Sequence, residues 1–487
     1  MAEKYTFIVV GGGIAGVSCV ENLATLCPED NILLISSSPI VKSVINLKQL
    51  TRNLEQFDVY EKHSSELESQ YANVSITQDE VSSFDSFNKV LGTINSKSFR
   101  YEKLCICTGA SPKVIAKNNE FVIGIRDTET VFEFESRLVK SRRVVIVGNG
   151  GIATELVFKI QRCEVLWAIK DNSIISTFID PGASRFLLPH MLGVGAEEEP
   201  FVKRGKFSVE AASKDANTHT SSYGCALGPD WIDLLKAQGR TSKVRCKEDI
   251  YCVEVKDILT LNQVRSLGLI QNSIEGSALN DLGEWPVYVR LTNEKLYGCD
   301  FVISATGVLP NIKSFENFEL GKDGGLLVNE RMQTSISDVY AAGDVCTAGW
   351  KLSPFWLQMR LWSQARQMGV QASRCMVADW IVFDESEQMD FCFELFAHVT
   401  KFFNYKVILL GKFNGQDLND DYKLLIKVVE GCEKYIKVVL QGGRMVGAIL
   451  IGETDLEETF ENLILNQLDL TRYGDGLLDQ DIEDFFD

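Results

Sequence analysis

The sequence predicts an α/β protein with two Rossmann-like dinucleotide-binding domains and an α+β C-terminal domain. Residues 7 to 10 (FIVV) read as an apolar strand, and Gly11, Gly13 and Gly16 open a helix running through Val17 to Leu26. Ile32 to Ile35 then read as the next buried parallel strand, which completes a βαβ unit. The same order returns at 144 to 169 as strand VVIV, turn GNGG, a helix through Leu156 and Ile160, and strand VLWAI. After about residue 379 the composition changes to aromatic-rich FCFELFAHVTKFFNY, an alternating hairpin YIKVVLQGGRMVGAILIG and an apolar-periodic helix from Leu456 to Leu468. The expected domains are 1–126 with 308–378, then 127–307, then 379–487.

At 487 residues the chain exceeds one ordinary core, and 45% hydrophobic with 24% charged residues is a globular balance. A net charge of −18 disfavours nucleic acid and anionic membrane surfaces, which the average field repels. No stretch reaches the roughly 20 apolar residues of a membrane span. The opening MAEKYTFIVVGGG carries no charged-then-apolar leader, so a cytoplasmic or nuclear location is expected. The 13 cysteines are scattered without any CxxC, as expected of reduced core thiols, and no metal centre is expected.

In the first turn, Gly11 allows the tight bend, Gly13 lets backbone approach a pyrophosphate, and Gly16 lets helix pack on strand. The helix N-terminus offers its N–H groups to the phosphates. An acidic residue usually ends the second strand to take the ribose hydroxyls, but ILLI runs into Ser36, Ser37 and Ser38, which leaves Ser36 as the candidate contact. The second turn has Gly148, Gly150 and Gly151, with Ile152 beginning the helix and Ala153 where a third glycine often stands. Its following strand ends Ile169, Lys170, Asp171. Lys170 suits a 2′-phosphate, so NADH and NADPH stay equally open. From about 181 to 245, polar stretches such as AEEEP and SKDANTHTSSYG read as an insertion. The acidic end, YGDGLLDQDIEDFFD, reads as a solvated tail, with a partner-binding peptide at Ile482, Phe485 and Phe486 as the alternative.

Five distant motifs occur in order: GGGIAG at 11, LCICTGASP at 104–112, VIVGNGGIATE at 145–155, FVISATGVLPN at 301–311 and SDVYAAGDV at 337–345. Together they resemble the two-dinucleotide pyridine nucleotide-disulphide oxidoreductases, over about residues 5 to 375. The resemblance implies FAD at the first turn, adjoining Ala15, and NADH or NADPH at the second. It makes Asp344, after Gly343, the acceptor for the flavin ribityl chain, and Val345 the start of a helix facing the isoalloxazine. Thr108, Gly109 and Ala110 correspond to the segment closing the FAD site, and Thr306 with Gly307 to its counterpart in the nicotinamide domain. It further implies that Glu155 pairs with a lysine beside flavin N5, for which Lys48 is the better match and Lys42 the second. Trp356 and Trp362 either cover the ring or fill core.

The disulphide-reducing members carry a CxxxxC pair just after the second FAD strand, where this chain has PIVKSVINLKQL. The His-Pro element of dimeric reductases is absent as well, and Cys105 and Cys107 lie inside an apolar strand. The expectation is an FAD-dependent NAD(P)H oxidoreductase without its own redox disulphide, whose electrons leave for an unknown acceptor. A role in oxidative stress, shielding an oxidation-sensitive protein partner, accompanies that expectation. The alternatives are a disulphide or quinone reductase and an FAD-bound redox-sensing scaffold.

Overall fold

A computed structural model of the chain describes residues 2–125, 128–160, 163–192, 204–205, 247–274, 277, 279, 283–381, 388–419, 421–429 and 434–479. β1 (Glu3–Val10) leads through α1 (Ile14–Leu26) into β2 (Ile32–Ser36), parallel to β1. Phe7 to Val10 are buried because the strand has neighbours on both sides and a helix packed over its face. β3 (Ile40–Gln49) and β4 (Glu55–His63) form a long antiparallel hairpin, and β5 (Val74–Gln78) returns beside β2. β6 (Ser98–Ile106) runs parallel to β1 on its other side, giving the order β5–β2–β1–β6.

The chain then enters a second parallel sheet made of β7 (Val122–Gly124), β8 (Arg143–Val147), β9 (Glu164–Ala168), β10 (Lys247–Ile250) and β11 (Phe301–Ser304), in the order β7–β11–β8–β9–β10. α2 (Gly151–Lys159) connects β8 to β9. Residues 122–124, expected in the first domain, therefore belong to the second sheet, because a three-residue strand is too short to carry a periodicity. The start of the expected insertion is also corrected. Residues 181–192 form α3 (Pro181–Leu192), with Ala183, Leu187 and Met191 buried and Asp180 accepting from the Gly182 N–H at 2.7 Å. Pro181 at the helix start and Pro189 inside it hid this helix from a reading by periodicity. Residues 204–205 pair with β4, and the rest of the expected insertion up to 246 lies outside the described residues.

The first sheet is completed only now, by β12 (Val339–Ala341) beside β6, followed by α4 (Trp362–Ile381) packed on α1. The third domain is a five-stranded antiparallel sheet of β13 (Ala397–Phe402), β14 (Tyr405–Gly411), β15 (Lys423–Val429), β16 (Lys434–Gln441) and β17 (Arg444–Ile451), in the order β13–β14–β17–β16–β15. α5 (Glu457–Asn466) covers one of its faces. Residues 471–479 dock through Leu477 and Leu478, both buried, so the front of the acidic end is not a solvated tail. Ile482, Phe485 and Phe486 lie outside the described residues. No described helix is long and apolar enough to cross a membrane.

Where the third domain meets α3, the ring of His398 stacks against Phe178, with centroids 6.3 Å apart. Burial pushes the imidazole down to about 4. Its folded value thus lies below the unfolded one, so between about pH 6.5 and 4 the unfolded chain binds a proton that the fold refuses. Stability is expected to fall by about 3 kcal/mol as the pH drops across that window, and His398→Phe to flatten the dependence. Urea unfolding of both proteins at stepped pH checks this, and parallel curves would refute it.

Candidate functional site

The first glycine turn wraps against the end of β6. Gly11 holds φ +117°, and a Cβ there would overlap the Cys107 carbonyl oxygen; a Cβ on Gly16 would overlap the Gly11 carbonyl oxygen. Gly13 has open space on its Cβ side and precedes α1, whose N-terminus carries no side-chain cap. The uncapped N–H groups and the helix dipole therefore face a cavity of about 760 Å³. Ser36, Lys42, Asp79, Thr108, Asn311, Asp344, Trp362 and Ala365 are among its lining residues, and Ala15 underlies it. Its glycine walls, uncapped helix end and volume fit the FAD expected there.

Thr108 donates its hydroxyl to the Asn311 carbonyl at 2.7 Å, and the Asn311 amide donates back to the Thr108 carbonyl at 2.9 Å. Gly109 holds φ +67° and Ala110 pairs with Pro310, and this segment lines one wall of the cavity. Asn311 stands at the end of the VISATGVLPN motif and was missed as a partner. Gly343, at φ +81°, packs on Ala15, and the Asp344 carbonyl accepts from Arg360 Nε at 2.9 Å. Val345 starts no helix. It is fully buried and leads into the short strand Cys346–Ala348, which pairs with Leu326–Val328; the helix at this site begins at Trp362.

Ser36 lines the cavity but donates its hydroxyl to the Ser38 carbonyl at 2.8 Å, so the ribose contact expected of it is engaged in its own turn. Lys42 also lines the cavity, with its ammonium 3.9 Å from Glu61. Lys48 lies exposed near the end of β3 and makes no ion pair among the described residues. Glu155 instead receives Lys159, one turn further along α2, at 2.9 Å. The expected Lys48–Glu155 pair is therefore not formed: a partner four residues away on the same helix satisfies the carboxylate first.

The second turn repeats the first. Gly148 holds φ +130°, and a Cβ there would overlap the Ala305 carbonyl oxygen. Gly150 caps α2, Gly151 begins it against Phe178, and Ile152 follows half-buried. The Asn149 amide donates to Asp171 at 2.8 Å, and bonds from Asn149 and Ser176 hold the Asp171 carboxyl below its usual range. Lys170 projects into solvent, 74% exposed and 3.7 Å from Glu254. Thr306 donates to the Lys113 carbonyl at 2.7 Å, while the Gly307 carbonyl accepts from the Lys113 N–H at 2.9 Å. These two residues knit the crossing between the sheets and are not among those lining the cavity.

Cys105 is buried in β6 and Cys107 follows the strand's end, buried at the border of the cavity, with the two sulfurs 3.5 Å apart; the Cys105 thiol and burial together push Cys107 well above its ordinary value. Trp356 fills core between Trp350 and Phe393, whereas Trp362 faces the cavity.

Residues 5–193 and 270–369 match the pyridine nucleotide-disulphide oxidoreductase family, and 397–468 match the rubredoxin NAD⁺ reductase C-terminal domain. The chain belongs to the pyridine nucleotide-disulphide oxidoreductases. It is 50% identical to the pyridine nucleotide-disulfide oxidoreductase domain-containing protein 1 of Homo sapiens, over 99% of this chain and 98% of that one. To the protein of that name in Drosophila melanogaster it is 43% identical, with both chains fully covered. Among solved structures, a ferredoxin reductase from Rhodopseudomonas palustris superposes with a TM-score of 0.65 at 14% identity, covering 98% of each chain. The NADH:rubredoxin oxidoreductase of Clostridium acetobutylicum gives 0.60 at 17%, covering 98% of this chain and all of its own. Membership in this oxidoreductase family implies binding of FAD and NAD(P)H.

Proposed function

We propose that this oxidoreductase takes a hydride from NADH or NADPH onto FAD and releases the electrons from the flavin directly, without a disulphide of its own. The observation that carries this reading is the state of the two thiols nearest the cavity: Cys105 is fully buried, Cys107 borders the cavity but is 5% exposed, and both are held well above the ordinary thiol pKa, which disfavours the thiolate that exchange requires. FAD, when bound, supplies the two-electron centre. The residues around it bind and orient. The α1 N-terminus takes the pyrophosphate, Lys42 adds positive charge, and Thr108 with Asn311 closes the cavity wall. Asp344, which lines the cavity, would accept from a hydroxyl of the ribityl chain. An acceptor that reaches the flavin itself, whether a small oxidant or a protein partner sensitive to oxidation, agrees with the open cavity.

Anaerobic titration with NADH and NADPH tests this. The flavin is expected to bleach with roughly one equivalent of nicotinamide, where a coupled flavin and disulphide would consume two. Consumption of two equivalents, or no bleaching with either nucleotide, would overturn it.

A further inference from the structure

Asp79 directly follows β5 and lines the cavity, yet it is only 6% exposed. One of its carboxylate oxygens is engaged. Oδ1 accepts from the Glu80 N–H at 2.9 Å and from the Asn95 N–H at 3.4 Å, which holds the turn after Val90–Thr93 against the end of β5. The other oxygen, Oδ2, is shut from solvent and finds no hydrogen-bond partner among the described residues. A carboxylate oxygen buried in this way is costly until a donor reaches it. Burial works to raise this carboxyl, but bonds from Thr93, Glu80 and Asn95 outweigh it and hold the group below the usual carboxylate range. At neutral pH it is therefore ionised and can only accept.

The place of Asp79 in the sheet narrows the choice of donor. Its N–H donates to the Ser36 carbonyl at 2.9 Å, and Ser36 pairs with Gln78 on the last rung between β2 and β5. Asp79 thus adjoins the strand end at which a dinucleotide fold ordinarily keeps the acid that takes the ribose hydroxyls. Here that strand ends in Ser36, whose own hydroxyl is turned to the Ser38 carbonyl. The ordinary acid is missing, and an acid with a free oxygen stands one strand away. With the pyrophosphate on the α1 N-terminus, the adenosine half of FAD is what falls to the ends of β2 and β5. Its donors are the ribose hydroxyls and the adenine amine. The hydroxyls come first along the ligand from the glycine turn, and the bond to Ser36 sets Asp79 beside them.

We infer that Asp79 is the ribose-binding acid of the FAD site: a carboxylate at the end of β5 stands in for the one absent from the end of β2, and its Oδ2 accepts from the hydroxyls of the adenosine ribose. The inference rests on the reading that places FAD in this cavity.

The test uses the full-length protein stripped of flavin, with FAD rebinding followed by the quenching of flavin fluorescence. ADP and 2′,3′-dideoxy-ADP serve as competitors. Only displacement of FAD is read, so nucleotide held at the second turn does not register. The wild-type protein is expected to bind ADP about tenfold more tightly than the dideoxy nucleotide. Asp79→Asn keeps the size and an oxygen for Glu80 and Asn95 while removing the charge. It is expected to weaken FAD and ADP about tenfold, to bring the two competitors within about threefold of each other, and to leave the melting temperature of the flavin-free protein unchanged. Equal wild-type affinities for the two nucleotides, or an Asp79→Asn protein that still prefers ADP tenfold, overturns the ribose contact alone. A wild-type protein that discriminates against inosine diphosphate but not against dideoxy-ADP assigns the carboxylate to the adenine amine and overturns it likewise. Should no nucleotide displace FAD, the adenosine half lies elsewhere, and the reading of the cavity falls with the inference. Should Asp79→Asn not fold, Asp79→Ser is judged by the same comparison of ADP with dideoxy-ADP.

Discussion

Replacing Gly11 with alanine is expected to give a folded protein that is purified without flavin. The positive φ of +117° is a conformation that an L side chain adopts at a cost of about 1–3 kcal/mol. The added methyl group would also stand 2.7 Å from the Cys107 carbonyl carbon and overlap its oxygen. β6 cannot retreat, since it is hydrogen-bonded to β1 and to β12, so the turn must move and carry the α1 N-terminus off the pyrophosphate. The paired variant Gly148→Ala presses on Ala305 in the same way and should retain FAD while losing flavin reduction by nicotinamide. Flavin absorbance and tryptophan-monitored unfolding separate the two. A Gly11→Ala protein that stays yellow with undiminished FAD affinity would remove the cofactor from this cavity.

The second large effect is on stability. Arg143 and Glu164, at the starts of β8 and β9, are fully buried and 2.7 Å apart. Arg143 also donates to the Gly298 carbonyl at 3.2 Å and to the Ser277 hydroxyl at 3.1 Å, and Ser277 donates on to Glu164 at 2.6 Å. Glu164→Ala takes the facing carboxylate from a fully buried guanidinium, and about 3–5 kcal/mol of stability is expected to be lost. Denaturant unfolding measures it, and a loss below about 1 kcal/mol would show that the charge finds water or another partner.

The glycine turns were legible because their chemistry is local. A strand, a bend that only glycine accommodates and a helix start leave their mark within a dozen residues, and both turns stand where the motifs put them. Membership in the family followed from five such turns and strand ends read together. What failed depended on distant partners. No local signal shows that Glu155 finds Lys159 before Lys48, or that Ser36 spends its hydroxyl on Ser38. The helix expected at Val345 gave way to a strand because Leu326–Val328, some twenty residues earlier, offers it an edge. Glu461 sits in a helix whose apolar period was plain, yet its hydrogen-bond donors are Thr51 and Asn53, some four hundred residues away.

That first sheet is interrupted by the whole nicotinamide domain before β12 and α4 return to finish it. On the ribosome, the glycine turn and β1–β6 therefore emerge long before Asp344, Trp362 and Ala365, without which the cavity has no far wall. The nicotinamide domain, whose five strands all lie within one stretch of chain, can fold as a unit in the meantime. Flavin capture is thus a late event in the life of each newly made molecule. A truncation ahead of Asp344 would remove the far wall of the cavity as surely as a lesion in the glycine turn spoils the near one.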